Sequence, residues 1–191
     1  MIYLVSYQHS GNTWVRYCIE YVTKKPTHGH RKFSISERHR NFLDIDVDAE
    51  PVIIKRHEIE PGEITIDDTF ILLLRDPSKC IKSDQDVYKE FLRYYSLIKY
   101  YEAHEGPKTI FWYDEIMHAS WIINFLKHND VPFDIKQDKL DCLLENWKRH
   151  QQMCLGVYNN FRNKKGADLS VIPQILLEHG LIKNASYSFQ L

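Results

Sequence analysis

The sequence predicts an α/β fold, a three-layer sandwich with a central parallel sheet of four to five strands flanked by helices. Three observations carry that expectation. Short apolar runs recur at 2–5, 51–55, 69–74 and 108–113. Stretches with apolar residues at helical spacing follow the first, third and fourth of them, bounded by Gly, Pro and capping Asp residues. No repeat, low-complexity tract or linker interrupts the chain, so residues 1–191 read as one domain with its own core. Strands alternating with helices favour a parallel sheet.

The run at 2–5 is long enough for a buried strand and too short to cross a membrane. Gly11 then permits a tight turn, and Trp14, Tyr17, Cys18, Tyr21 and Val22 form the apolar stripe of a first helix. Lys24-Lys25-Pro26 ends it. Residues 26–50 lack periodicity and divide into a basic half (His28, His30, Arg31, Lys32, Arg38, His39, Arg40) and an acidic half (Asp44, Asp46, Asp48, Glu50). They read either as a solvated loop with short helical turns or as a flap meeting a small-molecule or glycan acceptor. His28 and His30 do not make a metal site, because nothing nearby completes a coordination shell.

The β-branched run at 51–55 forms the next strand and leads into Arg56, His57 and Glu58. The run at 69–74 is the most hydrophobic segment and is expected to be the central strand, buried on both faces. Arg75 closes it, and Asp76-Pro77 is a helix start, an N-cap followed by Pro at N1. The helical pattern continues, with or without a break, to about residue 105, where Gly106-Pro107 stops it. A fourth strand at 108–113 precedes Asp114, which is expected to cap a helix carrying Ile116, Trp121, Ile122, Phe125 and Leu126. Another helix is expected from about 138 to 154, then a basic loop at 158–168 and a last short helix at 173–180. In such sheets ligands bind at the carboxyl ends of the strands, and His9, His57, Arg75 and Tyr113 all fall there.

Composition narrows the classes. A net charge of −1 excludes a generic nucleic-acid binder, so any basic site is local. No run approaches the roughly 20 apolar residues of a membrane span. The N-terminus lacks a basic region followed by an apolar one, which points to a cytoplasmic protein. Cys18, Cys80, Cys142 and Cys154 have no metal or redox spacing and are expected to be free, buried thiols.

The strand–polar loop–helix arrangement at 2–16 aims backbone N–H groups and a helix N-terminus at an anion. Against the Walker A motif, Gly11 and Thr13 fit, but Asn12 replaces the lysine and Ser6 the first Gly. The loop is P-loop-like without the cation that a magnesium–nucleotide enzyme needs. Ser6-Tyr7-Gln8-His9-Ser10-Gly11-Asn12-Thr13-Trp14 resembles instead the Ser-Tyr-Pro-Lys-Ser-Gly-Thr-Thr-Trp loop of sulfotransferases. Those enzymes use 3′-phosphoadenosine 5′-phosphosulfate (PAPS) and release 3′,5′-adenosine bisphosphate (PAP). Arg75 with Ser83 eight residues on resembles the strand-end Arg and helical Ser that hold the cofactor's 3′-phosphate.

Lys55-Arg56-His57 is similar to the Lys-Thr-His of cytosolic members, whose His is the catalytic base. The resemblance implies that His57 is the base, that Lys55 is an electrostatic stabiliser, and that His9 stands where a lysine bridges the sulfonate and leaving oxygen. It further implies that His9, Ser10, Gly11, Asn12 and Thr13 cradle the phosphosulfate and that Tyr113 and Trp14 contact adenine. Arg162, Lys164, Lys165 and Gly166 would form a late loop over the 3′-phosphate, although the family's downstream Gly-Asp-Trp is missing. The rivals are a nucleotide or metabolite kinase, which magnesium dependence would reveal, and a catalytically silent nucleotide-binding module.

Overall fold

The four apolar runs all form strands, and all run parallel. The computed structural model describes residues 1–29, 43–155 and 166–170. β1 (Ile2–Ser6), β2 (Thr27–His28), β3 (Ile53–Arg56), β4 (Thr69–Leu74) and β5 (Lys108–Trp112) make one sheet in the order β2-β3-β1-β4-β5. Tyr3 lies opposite Ile54 on one side and Phe70 on the other. The middle strand is therefore β1, which corrects the expectation that residues 69–74 are central. Burial on both faces favours apolar residues, and it reaches both faces of β1, at Leu4 and Val5, as well as of β4.

Alternation along β4 divides the core in two. Ile71 and Leu73 join Leu4 and Ile53 beneath α1 (Asn12–Thr23) and α4 (Trp121–His128). Phe70, Leu72 and Leu74 point the other way, with Val5, onto α3 (Val87–Ala103), where Phe91, Tyr94 and Leu97 meet them. Helices thus flank both faces of the sheet, and the three-layer sandwich holds. α5 (Gln137–Glu145) and α6 (Trp147–Leu155) lie on the α1 side, in place of the single helix expected there, and they divide at Asn146. Among the described residues no helix is long and apolar enough to cross a membrane, and no group of His, Cys, Asp and Glu could hold a metal ion. Cys18, Cys80 and Cys154 are buried free thiols; Cys142 is exposed, against expectation.

Three further departures bear on the site. The edge strand β2 lies in the stretch that showed no periodicity. Two buried charged residues of α1 hold it. Arg16 Nε donates to Thr27 Oγ1 (2.8 Å) and Nη2 to the Thr27 carbonyl (2.6 Å), while Glu20 accepts the Thr27 amide (3.0 Å). Next, Asp114 makes no side-chain cap; a 3₁₀ turn (Glu115–Met117) follows it, and α4 starts only at Trp121. Glu115 instead accepts the Trp112 amide at 2.7 Å.

The third departure is the place of Ser83, set by the break in the helix after Arg75. α2 (Pro77–Cys80) opens as expected, with the Asp76 carboxylate accepting the Ser78 amide (2.8 Å), but Ile81 turns extended. Lys82 pairs antiparallel with Gly166, and the Ala167 amide donates to the Ile81 carbonyl at 3.0 Å. Ser83 therefore sits exposed in a turn between α2 and α3, not on a helix. Pairing with a segment more than eighty residues away has replaced the local helical bonds.

Candidate functional site

The loop from β1 into α1 has left-handed backbone at two positions, His9 (φ 64°) and Gly11 (φ 92°). For Gly11 this conformation costs little, and space demands glycine as well, since a Cβ would sit 3.0 Å from Tyr113 ring atoms and from Ile116 Cδ1. For His9 it is strained by about 1 kcal/mol or more, a kind of strain that gathers at ligand-binding loops. The amides of Ser10, Gly11, Asn12 and Thr13 have no protein acceptor among the described residues. Unpaired N–H groups over a left-handed turn at the start of a twelve-residue helix make a concavity of positive potential.

The side chains of this loop are mostly committed elsewhere. Asn12 Nδ2 donates to Ser6 Oγ at 3.3 Å, and the fully buried Ser10 hydroxyl lies 3.5 Å from Cys80 Sγ. Trp14 is 2% exposed, its indole N–H donating to the Ile116 carbonyl (2.8 Å) and its ring stacked on Tyr17. That burial overrides the adenine-stacking role expected for Trp14, whose ring is core packing. Thr13 is half-buried, and its carbonyl accepts the Cys154 thiol at 3.4 Å.

Arg75 faces this loop from the end of β4. Its Nη1 donates to the His9 carbonyl at 2.8 Å, and its guanidinium lies 3.9 Å from the Tyr113 ring centroid. The Tyr113 amide, donating to the Leu74 carbonyl (2.7 Å), carries the β4–β5 ladder one residue past the strand ends. Arg75, Tyr113, His9 and Gly11 are thus in one contact group. Ser83 makes no hydrogen bond to Arg75. Gly166, by pairing with Lys82, is brought next to the Arg75–Ser83 corner, and a Cβ there would fall 2.0 Å from the Ser78 carbonyl. No larger residue fits without moving that corner. Arg162, Lys164 and Lys165 lie outside the described residues, as do residues 30–42 of the expected flap.

His57 follows β3 at the same edge. Its Nδ1 lies 2.7 Å from the Ser6 carbonyl. A carbonyl only accepts, so Nδ1 carries the hydrogen and Nε2 the lone pair. Burial, then the nearby charge of Lys55, lower its pKa from 6.5 to about 4; the bond to Ser6 opposes them, and His9 and Arg93 add to the lowering. Lys55 is 7% exposed and shares its strand face with Ile53, directed toward α1. Arg56, on the opposite face, pairs with Glu63.

Beside His57 stands a charged cluster that the sequence reading missed. Arg93 of α3 pairs with Glu58 and with Glu90 (2.9 Å), and Glu90 accepts the Tyr7 hydroxyl at 2.5 Å. The signal available was the Glu90–Arg93 spacing, one helical turn on a single face. A cavity of about 300 Å³ opens elsewhere, at the amino edge of the sheet, where Ile59, Ile64 and Ile66 face Phe70, Tyr100 and His104. No expected site residue lines it.

The state of His57 predicts a pH dependence of stability. An unfolded chain protonates this histidine near 6.5, whereas the fold refuses the proton until about 4. Stability is complete above 6.5 and falls as pH drops toward 4, by on the order of 3 kcal/mol. The denaturant midpoint of wild type should fall across that window more steeply than that of His57→Gln. Burial lowers His150 in the same direction, so the difference between the two proteins isolates His57.

Fold and site together define an α/β protein with a strand–loop–helix corner whose amides lack a protein acceptor among the described residues, flanked by an arginine and a histidine. No family model matches the chain, and a search of curated proteins finds no match. Among solved structures it is similar to the crystal structure of mouse sulfotransferase SULT7A1 complexed with PAP, at 14% identity and a TM-score of 0.38. The likeness covers 76% of this chain and 62% of that one, so this chain spans less than two thirds of that structure's length.

Proposed function

We propose that the protein is a PAPS-dependent sulfotransferase, moving a sulfonate group onto a hydroxyl acceptor or, second, an amine. The observation that carries this reading is the run of four amides at Ser10–Thr13 with no protein acceptor among the described residues, with Arg75 anchored across it and the His57 lone pair at the same sheet edge. The donor set fits two anionic groups on one nucleotide. Amides 10–13, with the Thr13 hydroxyl, take the 5′ side. Arg75 takes the 3′-phosphate in a fork of N–H groups, with Ser83, Gly166 and the basic residues Arg162, Lys164 and Lys165 completing that end. Tyr113 meets the adenine.

PAPS supplies the sulfonate: the acceptor oxygen bonds to sulfur, the bond from sulfur to the phosphate oxygen breaks, and that oxygen keeps the electron pair. His57 Nε2 takes the acceptor's proton. Lys55 and His9 place positive charge beside the oxygen that gains electrons. A histidine with a pKa near 4 is a weak base, but two of its depressing influences are the charges of Lys55 and His9. An anion between those cations offsets them and raises the basicity of His57 when it is wanted.

Calorimetric titration with PAP, AMP and magnesium–ATP tests the reading. Tight binding of PAP without magnesium is expected, and a preference for magnesium–ATP overturns it in favour of a kinase. PAP binding without transfer to any acceptor would favour the silent module, for which His9 in place of lysine speaks.

A further inference from the structure

Arg75 is held at both ends. Its guanidinium is fixed by the His9 carbonyl and the Tyr113 ring. Its backbone carbonyl lies just beyond the last ladder bond of β4 and accepts the hydroxyl of Tyr94, from α3, at 2.9 Å. Cys80 Sγ also lies at that carbonyl, at 3.9 Å. Tyr94 is 1% exposed, edge-on to Tyr7 and stacked near Phe91, so its ring has no freedom to leave. Burial raises its phenol well above the ordinary value, and it stays a neutral donor throughout the working pH range.

Beyond that carbonyl, Asp76 is non-helical (φ −43°, ψ 118°) with its carboxylate on the Ser78 amide, and Pro77 has no amide hydrogen to offer. The orientation of the peptide that follows Arg75 determines where that side chain leaves the backbone. We propose that Tyr94 is a positioning residue that aims Arg75, and thereby sets the preference for nucleotides bearing a 3′-phosphate. This rests on the sulfotransferase reading, in which Arg75 meets that phosphate. Cys80, at the end of α2, extends the same seam to the first loop through Ser10, so α2 and α3 meet at the Arg75 carbonyl.

Tyr94→Phe removes the hydroxyl and leaves the ring packing. The preference for PAP over AMP, taken as the ratio of their Kd values, is expected to fall about three- to tenfold, the range of one buried hydrogen bond. Tyr101→Phe on the same helix, whose hydroxyl has no hydrogen bond among the described residues, should leave the ratio unchanged. In an Arg75→Ala background the Tyr94 substitution should have no further effect on the ratio, because nothing remains to aim. Thermal melts confirm that each variant is folded.

A purely structural role weakens both ligands together and keeps the ratio constant, and that outcome overturns the inference while the sulfotransferase reading stands. A fall in the ratio that persists without Arg75 overturns it too. Absence of any PAP preference in the wild type is the separate failure that takes down the sulfotransferase reading, and this inference with it.

Discussion

His57→Ala is expected to lower transfer about a thousandfold while leaving PAP affinity within a few-fold of wild type. The two halves of that expectation come from different parts of the geometry. Nδ1 is committed to the Ser6 carbonyl, so the ring presents a single functional atom, Nε2. The amides at 10–13 and Arg75 do not depend on it. A general base contributes roughly 10² to 10⁴ to rate, and the lower part of that range applies if water can relay the proton. His57→Asn, which can keep a donor to Ser6 but offers no base of comparable strength, should be almost as inactive. Single-turnover sulfonate transfer with a panel of hydroxyl acceptors, beside PAP titration, makes the measurement. Unchanged turnover in His57→Ala rules out its role as base, and lost PAP binding shows that the residue holds the loop instead.

What the sequence made legible follows from how local each cause is. Four of the five strands announce themselves as short apolar runs, whether covered on both faces like β4 or partly exposed at the edge like β5. The fifth, β2, has two residues, and its stability lies in Arg16 and Glu20, buried at 3% and 0% exposure. Those two charges stand one turn apart on the apolar side of α1, and that placement was the available signal. A break in the helical pattern after Arg75 was allowed for, but its place was not legible, because Lys82 leaves the helix to pair with Gly166.

At the site, the positions were readable and the states were not. His9, His57, Arg75 and Tyr113 follow strand ends, and strand ends share an edge in a parallel sheet. Motif likeness made Trp14 a ligand residue, while its spacing with Tyr17 and Cys18 made it core; packing decided for the core. The neutrality of His57 depends first on burial, and its tautomer on a carbonyl fifty-one residues away, neither of which is in the local sequence. The contact of Arg75 with His9 and Tyr113 likewise requires three strands in register.

Arg75→Ala is expected to cut PAP affinity about a hundredfold and AMP affinity by much less. A charge-assisted hydrogen bond contributes about 1.5–3 kcal/mol, so a fork to phosphate that loses its cation gives up at least that much. The substitution has a second consequence, because the same guanidinium holds the carbonyl of the strained His9 and stacks on Tyr113. Losing a partly exposed cation–π contact costs about 0.5–1 kcal/mol and loosens the loop whose amides face the 5′ end. AMP binding should therefore weaken by a few-fold, through His9, and PAP binding by that factor and the phosphate term together. Arg75→Lys separates the two: it keeps a positive charge for the phosphate, but its ammonium cannot reproduce both the planar stacking and the fork. Its PAP preference should lie between wild type and Arg75→Ala, with AMP affinity as low as in the alanine variant. Equal losses for PAP and AMP in Arg75→Ala would confine this arginine to holding the loop, and the 3′-phosphate would then have to be met elsewhere.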